Sequence, residues 1–336
     1  MQTKSNSMPK LSIIVIVYNV ESYILPCFES IFNQGIDDND YEVIIVNDGC
    51  TDNSMEMIAD IISHHNNVTV INQDNQGISV ARNNGISIAK GEYILMLDSD
   101  DLIIENSVPI LLEKAIETKV DLVVADFLKM NGAAIDLLST NYPSQNKFKM
   151  KVKTGHELFI EDLIPYECYV WRTMYRRSFL LDNDIFFIPG INYQDIPFTH
   201  KCYLKANRCI RASWLLSIYR EERPGAATTR FNIQKSWSYI IAIAETWKLR
   251  QMECLSSDSI YKIEEDVFIS FSKMIYHTLS CIKNMSERNM IVDNLNKKVP
   301  DLDFTHNNRQ KITTFLIKRA PHLYINLYYL YSKLLH

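Results

Sequence analysis

The first 126 residues alternate between two hydrophobic patterns. Continuous apolar runs, the first of which is Leu11 to Val17, have the length and composition of buried strands. Between them, apolar residues recur every three or four positions, which is helical spacing. The predicted elements are strands 11–17, 41–46, 68–71, 93–97 and 122–125, and helices 20–32, 52–62, 79–89 and 105–118. Strands that alternate with helices across short connections predict βαβ units and a mostly parallel sheet.

After residue 126 the hydrophobic pattern changes twice. Residues 131–150 are polar and predict a loop, and residues 154–230 mix short helices with short aromatic-rich strands. Beyond residue 231, amphipathic helices are predicted over 240–249, 260–281 and 312–335. We therefore expect an α/β part and a helical C-terminal part.

The composition is that of an ordinary globular protein. Of the 336 residues, 47% are hydrophobic and 22% are charged, which leaves enough apolar side chains for a sizeable core. The formal net charge is −5, so the chain as a whole lacks the positive charge that nucleic-acid binding requires. No nucleic-acid partner is expected.

Cysteine usage and hydropathy indicate a cytoplasmic protein. The seven cysteines are scattered and include no Cys-x-x-Cys pair, so a disulfide framework or a zinc site is not expected. The first ten residues are polar and lack the apolar core of a signal peptide. No window of about 18 residues is apolar enough to span a bilayer.

The fourth predicted strand ends on three carboxylates, Asp98, Asp100 and Asp101. Parallel sheets bind ligands outside the carboxyl ends of their strands, and the first two strands also end in polar clusters, "YN" and "NDG". Carboxylates are preferred ligands of hard divalent cations, and such a cation can bridge the oxygens of a diphosphate. We therefore predict that Asp98 and Asp100 bind a divalent metal.

Helix capping is the competing explanation of these carboxylates. Asp-x-Asp occurs four times in the chain, and only the copy at Asp98 follows a buried strand. Asp100 or Asp101 could instead cap the helix predicted from Glu105. Asp101 is left out of the predicted metal site for that reason.

Four segments, in order, carry a family resemblance. They are "LSIIVIVYNVESYI", "YEVIIVNDGCTDNS", "NQGISVARNNGISIAKGEYI" and "MLDSDD", within about residues 11–104. Together they resemble the family 2 glycosyltransferases, inverting enzymes of bacterial type with the GT-A fold. The resemblance implies an α/β, Rossmann-like, mostly parallel sheet and a helical C-terminal extension. The implied domains are a catalytic domain over 1–230, with a nucleotide-binding half (11–126) and an acceptor half (127–230), and a helical region over 231–336.

The resemblance also implies a site for a nucleotide-diphospho-sugar. The implied donor-binding residues are Val17, Tyr18, Glu21, Asp48, Arg82, Asp98 and Ser99. The first three would lie along the base, and Asp48 would accept the N–H of a uracil ring. Arg82 would face the donor phosphates or base, although a structural salt bridge is its alternative. Asp98 would contact the ribose and assist the metal, Mn²⁺ or Mg²⁺, of which Asp100 would be the direct ligand.

The chain departs from the family pattern in the donor site. Asn47 replaces the first acid of the "DDGS" motif, Cys50 replaces its serine, and Ile16 replaces the usual proline before "VYN". The first two are not expected to touch the transferred sugar, and an isoleucine suits a strand, so we interpret all three as tolerated.

The catalytic base is expected beyond residue 190. An inverting transfer needs a base that takes the proton of the acceptor hydroxyl. The family supplies it from a Glu-Asp pair, which here is Gln194–Asp195, so the resemblance implies that Asp195 is the base. Asp195 also begins a predicted helix, so an N-cap role is the alternative. In "YREERPGAATT", which resembles a loop that closes over the diphosphate, Arg220 and Arg223 are candidate phosphate contacts.

The C-terminal segment is basic and aromatic. Residues 304–336 contain five Lys or Arg and no Asp or Glu. A basic amphipathic helix suits an anionic membrane surface, here the inner face of the cell membrane. Packing on the domain or on a second subunit, as in a homodimer, is the alternative.

These features predict an inverting transfer from a nucleotide-diphospho-sugar, with UDP preferred, to a glycan or lipid-linked acceptor in surface polysaccharide synthesis. One alternative is a nucleotidyltransferase, which would need a Gly-rich phosphate loop where this chain has "VYNVESY". The other is a non-catalytic nucleotide-sugar-binding protein, in which Gln194 would mark loss of the acceptor site.

Overall fold

The first apolar runs form one half of a single sheet. The computed structural model describes residues 8–131, 148–164, 167–221 and 232–334. Its first four strands, β1 to β4, are Leu11–Val17, Tyr41–Asn47, Val68–Asn72 and Tyr93–Asp98. β1 pairs in parallel with β2 and β4, and β2 pairs in parallel with β3. All seven residues of β1 are buried, as expected of a strand covered on both faces, so the prediction is confirmed for this half.

The other half of the sheet is mixed. β8 (Thr173–Arg176) lies between β4 and β6 (Leu122–Asn131) and is antiparallel to both. β9 (Cys209–Glu221) is parallel to β6 and antiparallel to β5 (Leu102–Ile103) and β7 (Lys149–Lys153). The strand order is β3-β2-β1-β4-β8-β6-β9-β5, with β7 on β9. Because β8 is inserted after β4, the parallel run that the first 126 residues predict ends there.

Helices flank the strands close to the predicted positions. The helices up to residue 182 are α1 (Ile24–Phe32), α2 (Ser54–Met57), α3 (Ala59–Ser63), α4 (Ile78–Ile88), α5 (Ser107–Thr118), α6 (Gly155–Glu161) and α7 (Arg177–Asp182). The single helix predicted over 52–62 is two short helices. The main core contains alternate residues of β1, such as Ile13 and Val15, and the buried face of α1.

The chain divides into two compact units. The first unit contains residues 1–158, 169–189 and 202–226, and the second contains 159–168, 190–201 and 227–336, within the described ranges. The sheet belongs to the first unit. The functional halves predicted for residues 1–230 remain a prediction.

The second unit is helical. It contains the start of α8 (Asp195–Lys205), followed by α9 (Ile233–Lys248), α10 (Ser257–Cys281), α11 (Met285–Lys298), α12 (Asn308–Arg319) and α13 (Pro321–Leu334). The residues before α9 to α12 are Asn232, Ser256, Asn284 and Asn307, and each side chain accepts a backbone N–H of the first turn. Phe304 is fully buried and contacts Trp247, Phe268 and Phe271.

One helix prediction for this region was wrong, and one helix was missed. The helix predicted over 312–335 is interrupted after Arg319, and α13 begins at Pro321, because proline suits the first helical position and not a helix interior. The sequence pattern also missed α11, in which only Ile291, Val292 and Leu295 supply buried apolar side chains. Within the described ranges, no helix combines the length and hydrophobicity that crossing a bilayer requires.

Candidate active site

The carboxyl ends of β1, β2 and β4 lie side by side at one edge of the sheet. Val17 of β1 is in register with Asn47 of β2, and Ile16 of β1 with Asp98 of β4. The residues that follow these strands therefore emerge at the same edge: Tyr18, Asp48 and Ser99.

The loop after β1 combines buried and exposed positions. Val17 is fully buried, and its carbonyl oxygen accepts the N–H of Asp48 at 3.0 Å, whereas Tyr18 is 46% exposed. Glu21 is exposed at the same loop, and its Oε2 accepts the N–H of Asn53 at 3.0 Å. Glu21 thus joins the loops that follow β1 and β2, and Tyr18 is an accessible residue of the first loop.

Asp48 has a structural role in addition to the one predicted. It is 2% exposed, and its Oδ1 accepts from Gln73 Nε2 and from the N–H of Gln76, both at 2.8 Å. Its Oδ2 accepts the N–H of Gly77 at 2.9 Å. Asp48 therefore holds the segment before α4, and its contact with a uracil ring remains a prediction.

The departures from the family motif after β2 keep the turn intact. Asn47 Oδ1 accepts the N–H of Cys50 at 2.9 Å, which is a bond that an aspartate could also make. Gly49 has a φ of +75°, and a Cβ there would lie 2.8 Å from the Asn75 nitrogen. Asn47 therefore supplies the turn acceptor, and only glycine suits position 49.

Arg82 and Asp98 form an ion pair. Arg82 is 2% exposed, and its Nη2 donates to Asp98 Oδ1. The guanidinium carbon also lies 5.3 Å from the ring centroid of Phe187. The structure thus contains the salt bridge weighed as the alternative for Arg82. Ser99, the next predicted donor residue, is buried at 4% exposure.

Arg220, at the end of β9, contacts the rest of the acidic cluster. Its N–H donates to Asp101 Oδ1, and its Nε donates to the Asp100 carbonyl oxygen, both at 2.9 Å. The guanidinium carbon lies 4.9 Å from the ring centroid of Tyr23. Arg220 therefore ties β9 to the turn that carries the predicted metal ligands.

The buried groups around this turn have shifted pKa values. Burial, followed by the charges of Asp100 and Asp98, raises the pKa of Asp101 well above its ordinary value. Burial likewise raises the pKa of the Cys27 thiol, and the neighbouring carboxylates raise it further. Burial lowers the pKa of Arg220, and the charges of Asp100 and Asp101 oppose that shift. Burial is the larger cause of each shift, and the carboxylates of Asp98 and Asp100 add to it for Asp101 and Cys27.

The capping alternative for Asp101 is wrong. α5 begins at Ser107, and its preceding residue, Asn106, makes no side-chain capping bond. The N–H of Val108 instead bonds to Gln34 Oε1 at 3.2 Å. Asp101 bonds to β9, as described, and does not cap the helix.

Asp98 and Asp100 fit a divalent cation that takes further ligands from a diphosphate. Within the described ranges, no group of three or more His, Cys, Asp and Glu side chains is arranged to hold a metal by itself. Mg²⁺ is commonly bound by one or two carboxylates together with substrate phosphates. Asp101 Oδ2 is buried and has no hydrogen-bond partner among the described residues. The carboxylates of Asp98 and Asp100 therefore fit a bound cation.

Asp195 is the first residue of α8 and belongs to the second unit. It is half-buried and lies in the first helical turn, where negative charge is favoured, rather than at the cap position. The preceding Tyr193 has a φ of +57° and stacks on Tyr239 with 3.7 Å between ring centroids. Burial, followed by the charge of Asp195, raises the pKa of Tyr193 to about 12. Gln194 is 6% exposed, and its Oε1 has no hydrogen-bond partner among the described residues.

A buried polar network, absent from the sequence-based predictions, lies on the same helix. His200 is fully buried, with Nδ1 at 2.8 Å from the Ile196 carbonyl oxygen and Nε2 at 3.0 Å from Asp266 Oδ2. Lys262 Nζ donates to Asp266 Oδ1 at 3.1 Å. This network holds α8 against α10. Since His200 and Asp266 are 66 residues apart, no local sequence signal could have paired them.

Arg220 is the predicted phosphate contact that the structure describes. Arg223 and most of the "YREERPGAATT" segment lie outside the described residues. The contact between Arg220 and Asp101 spans 119 residues, which explains why sequence reasoning did not assign it. A possible signal was the position of an arginine at the end of an aromatic-rich strand.

Comparison with known proteins identifies the family. The model of glycosyl transferase family 2 matches residues 12–181, about half of the chain. The uncharacterized glycosyltransferase EpsJ of Bacillus subtilis is 34% identical over 218 residues, which are 64% of this chain and 62% of EpsJ. The match thus spans less than two thirds of that relative.

Two solved structures share the fold. TarS of S. aureus (residues 1–349, with UDP-GlcNAc) aligns with a TM-score of 0.66 and 20% identity over 88% of this chain and 84% of the other. The mannosyltransferase PcManGT of Pyrobaculum calidifontis, with GDP-Man and Mn²⁺, aligns with a TM-score of 0.53 and 12% identity over 98% and 89%. At these identities the likeness shows the fold alone. On the match of the family model, this chain belongs to glycosyl transferase family 2.

Proposed function

We propose that this protein is an inverting glycosyltransferase that transfers a sugar from a UDP-sugar to a hydroxyl of a glycan or lipid-linked acceptor in surface polysaccharide synthesis. The observation that carries the proposal is the acidic turn at the open edge of the sheet. There, Asp98 is the last residue of β4, which is in register with β1, Asp100 follows it in the next turn, and a buried oxygen of Asp101 lacks a partner among the described residues. A divalent cation would supply the positive charge that this turn lacks and would take its further ligands from the diphosphate of the donor.

The donor and the metal are supported by the solved structures. TarS was solved with UDP-GlcNAc, and PcManGT with GDP-Man and Mn²⁺. Between the two bases, we favour uridine because the carboxylate of Asp48 suits the N–H of a uracil ring. In the same proposal the protein is cytoplasmic, acts at the inner face of the cell membrane and requires no nucleic acid.

Each residue has a defined part in the proposed transfer. Asp100 and Asp98 would hold Mn²⁺ or Mg²⁺, and a cation held there would neutralise the diphosphate and stabilise the leaving nucleotide. Arg82 positions the Asp98 carboxylate through their ion pair. Asp195 takes the proton of the acceptor hydroxyl while the hydroxyl oxygen bonds to the anomeric carbon of the sugar. The bond from that carbon to the diphosphate breaks in the same displacement, which inverts the configuration.

Ligand-dependent thermal stability tests the donor site. UDP-, GDP- and TDP-sugars are compared with and without Mn²⁺, because a ligand that binds only the folded state raises the melting temperature. We expect stabilisation by uridine nucleotides that requires the metal. Equal stabilisation by all three nucleotides would contradict the assignment of uridine.

The variant Asp195→Asn tests the base. We expect transfer and donor hydrolysis to fall by about 10²- to 10⁴-fold, while uridine nucleotide binding is retained. Asp182→Asn is the matched control, because Asp182 is an exposed residue in another Asp-x-Asp pair. If Asp195→Asn turns over as fast as the parent, the base assignment is wrong. If the parent binds nucleotide but neither hydrolyses nor transfers, the non-catalytic alternative holds.

A further inference from the structure

The exposed side of α12 is both basic and apolar. Its buried side contains Gln310, Thr313, Thr314 and Ile317. The opposite side exposes Lys311, Ile312, Phe315, Lys318 and Arg319, with Ile312 at 60% and Phe315 at 63% exposure. At 3.6 residues per turn, these five positions fall within an arc of about 120°. Two large apolar side chains therefore lie among three cations on one helical face.

α13, the next helix along the chain, exposes a stripe of leucines. Leu323, Leu327 and Leu330 are 55%, 54% and 58% exposed, and their spacing places them on one side of the helix. Ile325, on another side, is fully buried. We define the basic apolar face by eight residues: Lys311, Ile312, Phe315, Lys318, Arg319, Leu323, Leu327 and Leu330.

The cations of the basic apolar face are uncompensated. Among the described residues, no carboxylate forms an ion pair with Lys311, Lys318 or Arg319, and residues 304–336 contain no Asp or Glu. The whole chain nevertheless has a net charge of −5, so this segment is positive although the protein is negative overall. Clustered cations beside exposed apolar side chains fit a partner that has negative charge outside and hydrocarbon beneath it.

A second copy of the chain fits this face less well. A two-fold interface brings the same patch of both subunits together. Lys311, Lys318 and Arg319 would then face their own copies, and like charges without compensation oppose such contact. An anionic bilayer instead attracts every cation and accommodates Phe315 and the leucines in its acyl region.

We propose that the basic apolar face docks on the surface of an anionic phospholipid bilayer. Docking adds to the proposed function because it would hold the enzyme beside a lipid-linked acceptor. Only this role of the contact rests on the proposed function. The contact itself depends on α12 and α13 and on no residue assigned to transfer.

Vesicle co-sedimentation tests the docking. The full-length protein is mixed with vesicles of phosphatidylcholine alone or of phosphatidylcholine and phosphatidylglycerol at about 7:3, in about 0.1 M salt. We expect binding to the anionic vesicles, weak binding to the neutral ones, and a marked loss of binding at about 0.5 M salt. Absence of binding to the anionic vesicles would overturn the proposal.

Two pairs of matched variants locate the contact. Lys311→Gln with Lys318→Gln should weaken anionic vesicle binding by about 25-fold, from about fivefold per cation. Lys297→Gln with Lys298→Gln removes the same charge from exposed positions of α11 and should leave binding nearly unchanged.

The second pair of variants tests the apolar contact. Phe315→Ser with Leu327→Ser should weaken binding at least tenfold. Met285→Ser with Met290→Ser, at 60% and 53% exposed positions of α11, is its control. Equal losses in target and control variants would overturn the assignment of the face.

Two further measurements separate the remaining outcomes. If light scattering shows a dimer that Phe315→Ser with Leu327→Ser makes monomeric, and vesicle binding is unchanged, the face is a subunit interface and the proposal is wrong. Donor hydrolysis in solution should be the same in all four variants as in the parent. Hydrolysis without vesicle binding rejects only the docking, whereas vesicle binding by a protein without hydrolysis rejects only the proposed function.

Discussion

The acidic turn of the first unit and the His200 network of the second unit differ in how their buried charges are balanced. In the first unit, Asp98, Asp100 and Asp101 crowd one turn, and a buried oxygen of Asp101 lacks a hydrogen bond among the described residues. In the second unit, Asp266 is fully enclosed and bonds to both His200 and Lys262. The first arrangement leaves negative charge for a ligand to neutralise, whereas the second is complete without a ligand. Excess charge at an open strand end therefore indicates function, and balanced buried charge indicates structure.

Removal of the balanced carboxylate should have the largest effect on stability. Asp266→Asn leaves Lys262 and the His200 ring without their anion, so we expect the free energy of unfolding to fall by about 3 kcal/mol. Urea unfolding measures it. Asp293→Asn is the control, because its pair with His322 is more than half exposed on both sides and should contribute under about 1 kcal/mol.

Recovery of the stability lost in Asp266→Asn by Mn²⁺ with UDP would contradict a purely structural role for Asp266. Recovery would mean that the His200–Asp266 network belongs to the ligand site. We expect the same loss with and without these ligands, because the network is closed to solvent.

The ion pair of Arg82 should have a smaller effect on stability, together with a loss of ligand response. Asp98 is 29% exposed and can be hydrated when Arg82 is removed, so Arg82→Gln should cost about 1–2 kcal/mol. We also expect the stabilisation by Mn²⁺ and UDP to fall, because Asp98 is no longer positioned. Thermal unfolding with and without these ligands measures both effects.

Arg176→Gln is the matched control for Arg82. Arg176 forms the same kind of ion pair with Asp121, which is buried and also accepts the N–H groups of Asn207 and Arg208. This variant should lose stability and keep the full response to Mn²⁺ and UDP. An equal ligand response in both arginine variants would assign Arg82 a structural role alone.

The sequence predicts the ends of strands better than it predicts contacts between distant segments, for a physical reason. In a parallel sheet, the end of a strand is the point where an apolar run meets polar residues. Because parallel strands end at the same edge, Asp48 and Asp98 can be placed there without knowledge of distant contacts. The bond from Arg220 to Asp101 and the pair of His200 with Asp266 depend on packing between distant segments. α11 was missed because its exposed positions outnumber its apolar ones, and the start of α13 was missed although Pro321 is a local signal.

Substitution of His277 should have the smallest effect, which is a change in how stability depends on pH. Burial, followed by the charges of Lys273 and Lys235, lowers the pKa of His277 below its ordinary value of 6.5. The unfolded chain therefore binds the proton more readily, so this contribution to stability is complete above pH about 6.5 and declines as the pH falls. His277→Gln should reduce the difference between urea midpoints at about pH 7.5 and pH 5.5. The control His64→Gln, at an exposed position of the first unit, should leave that difference as in the parent. If both variants behave like the parent, the burial of His277 beside Lys273 and Lys235 does not govern the response of the second unit to acid, and the contrast with the acidic turn of the first unit is weaker than the structure indicates.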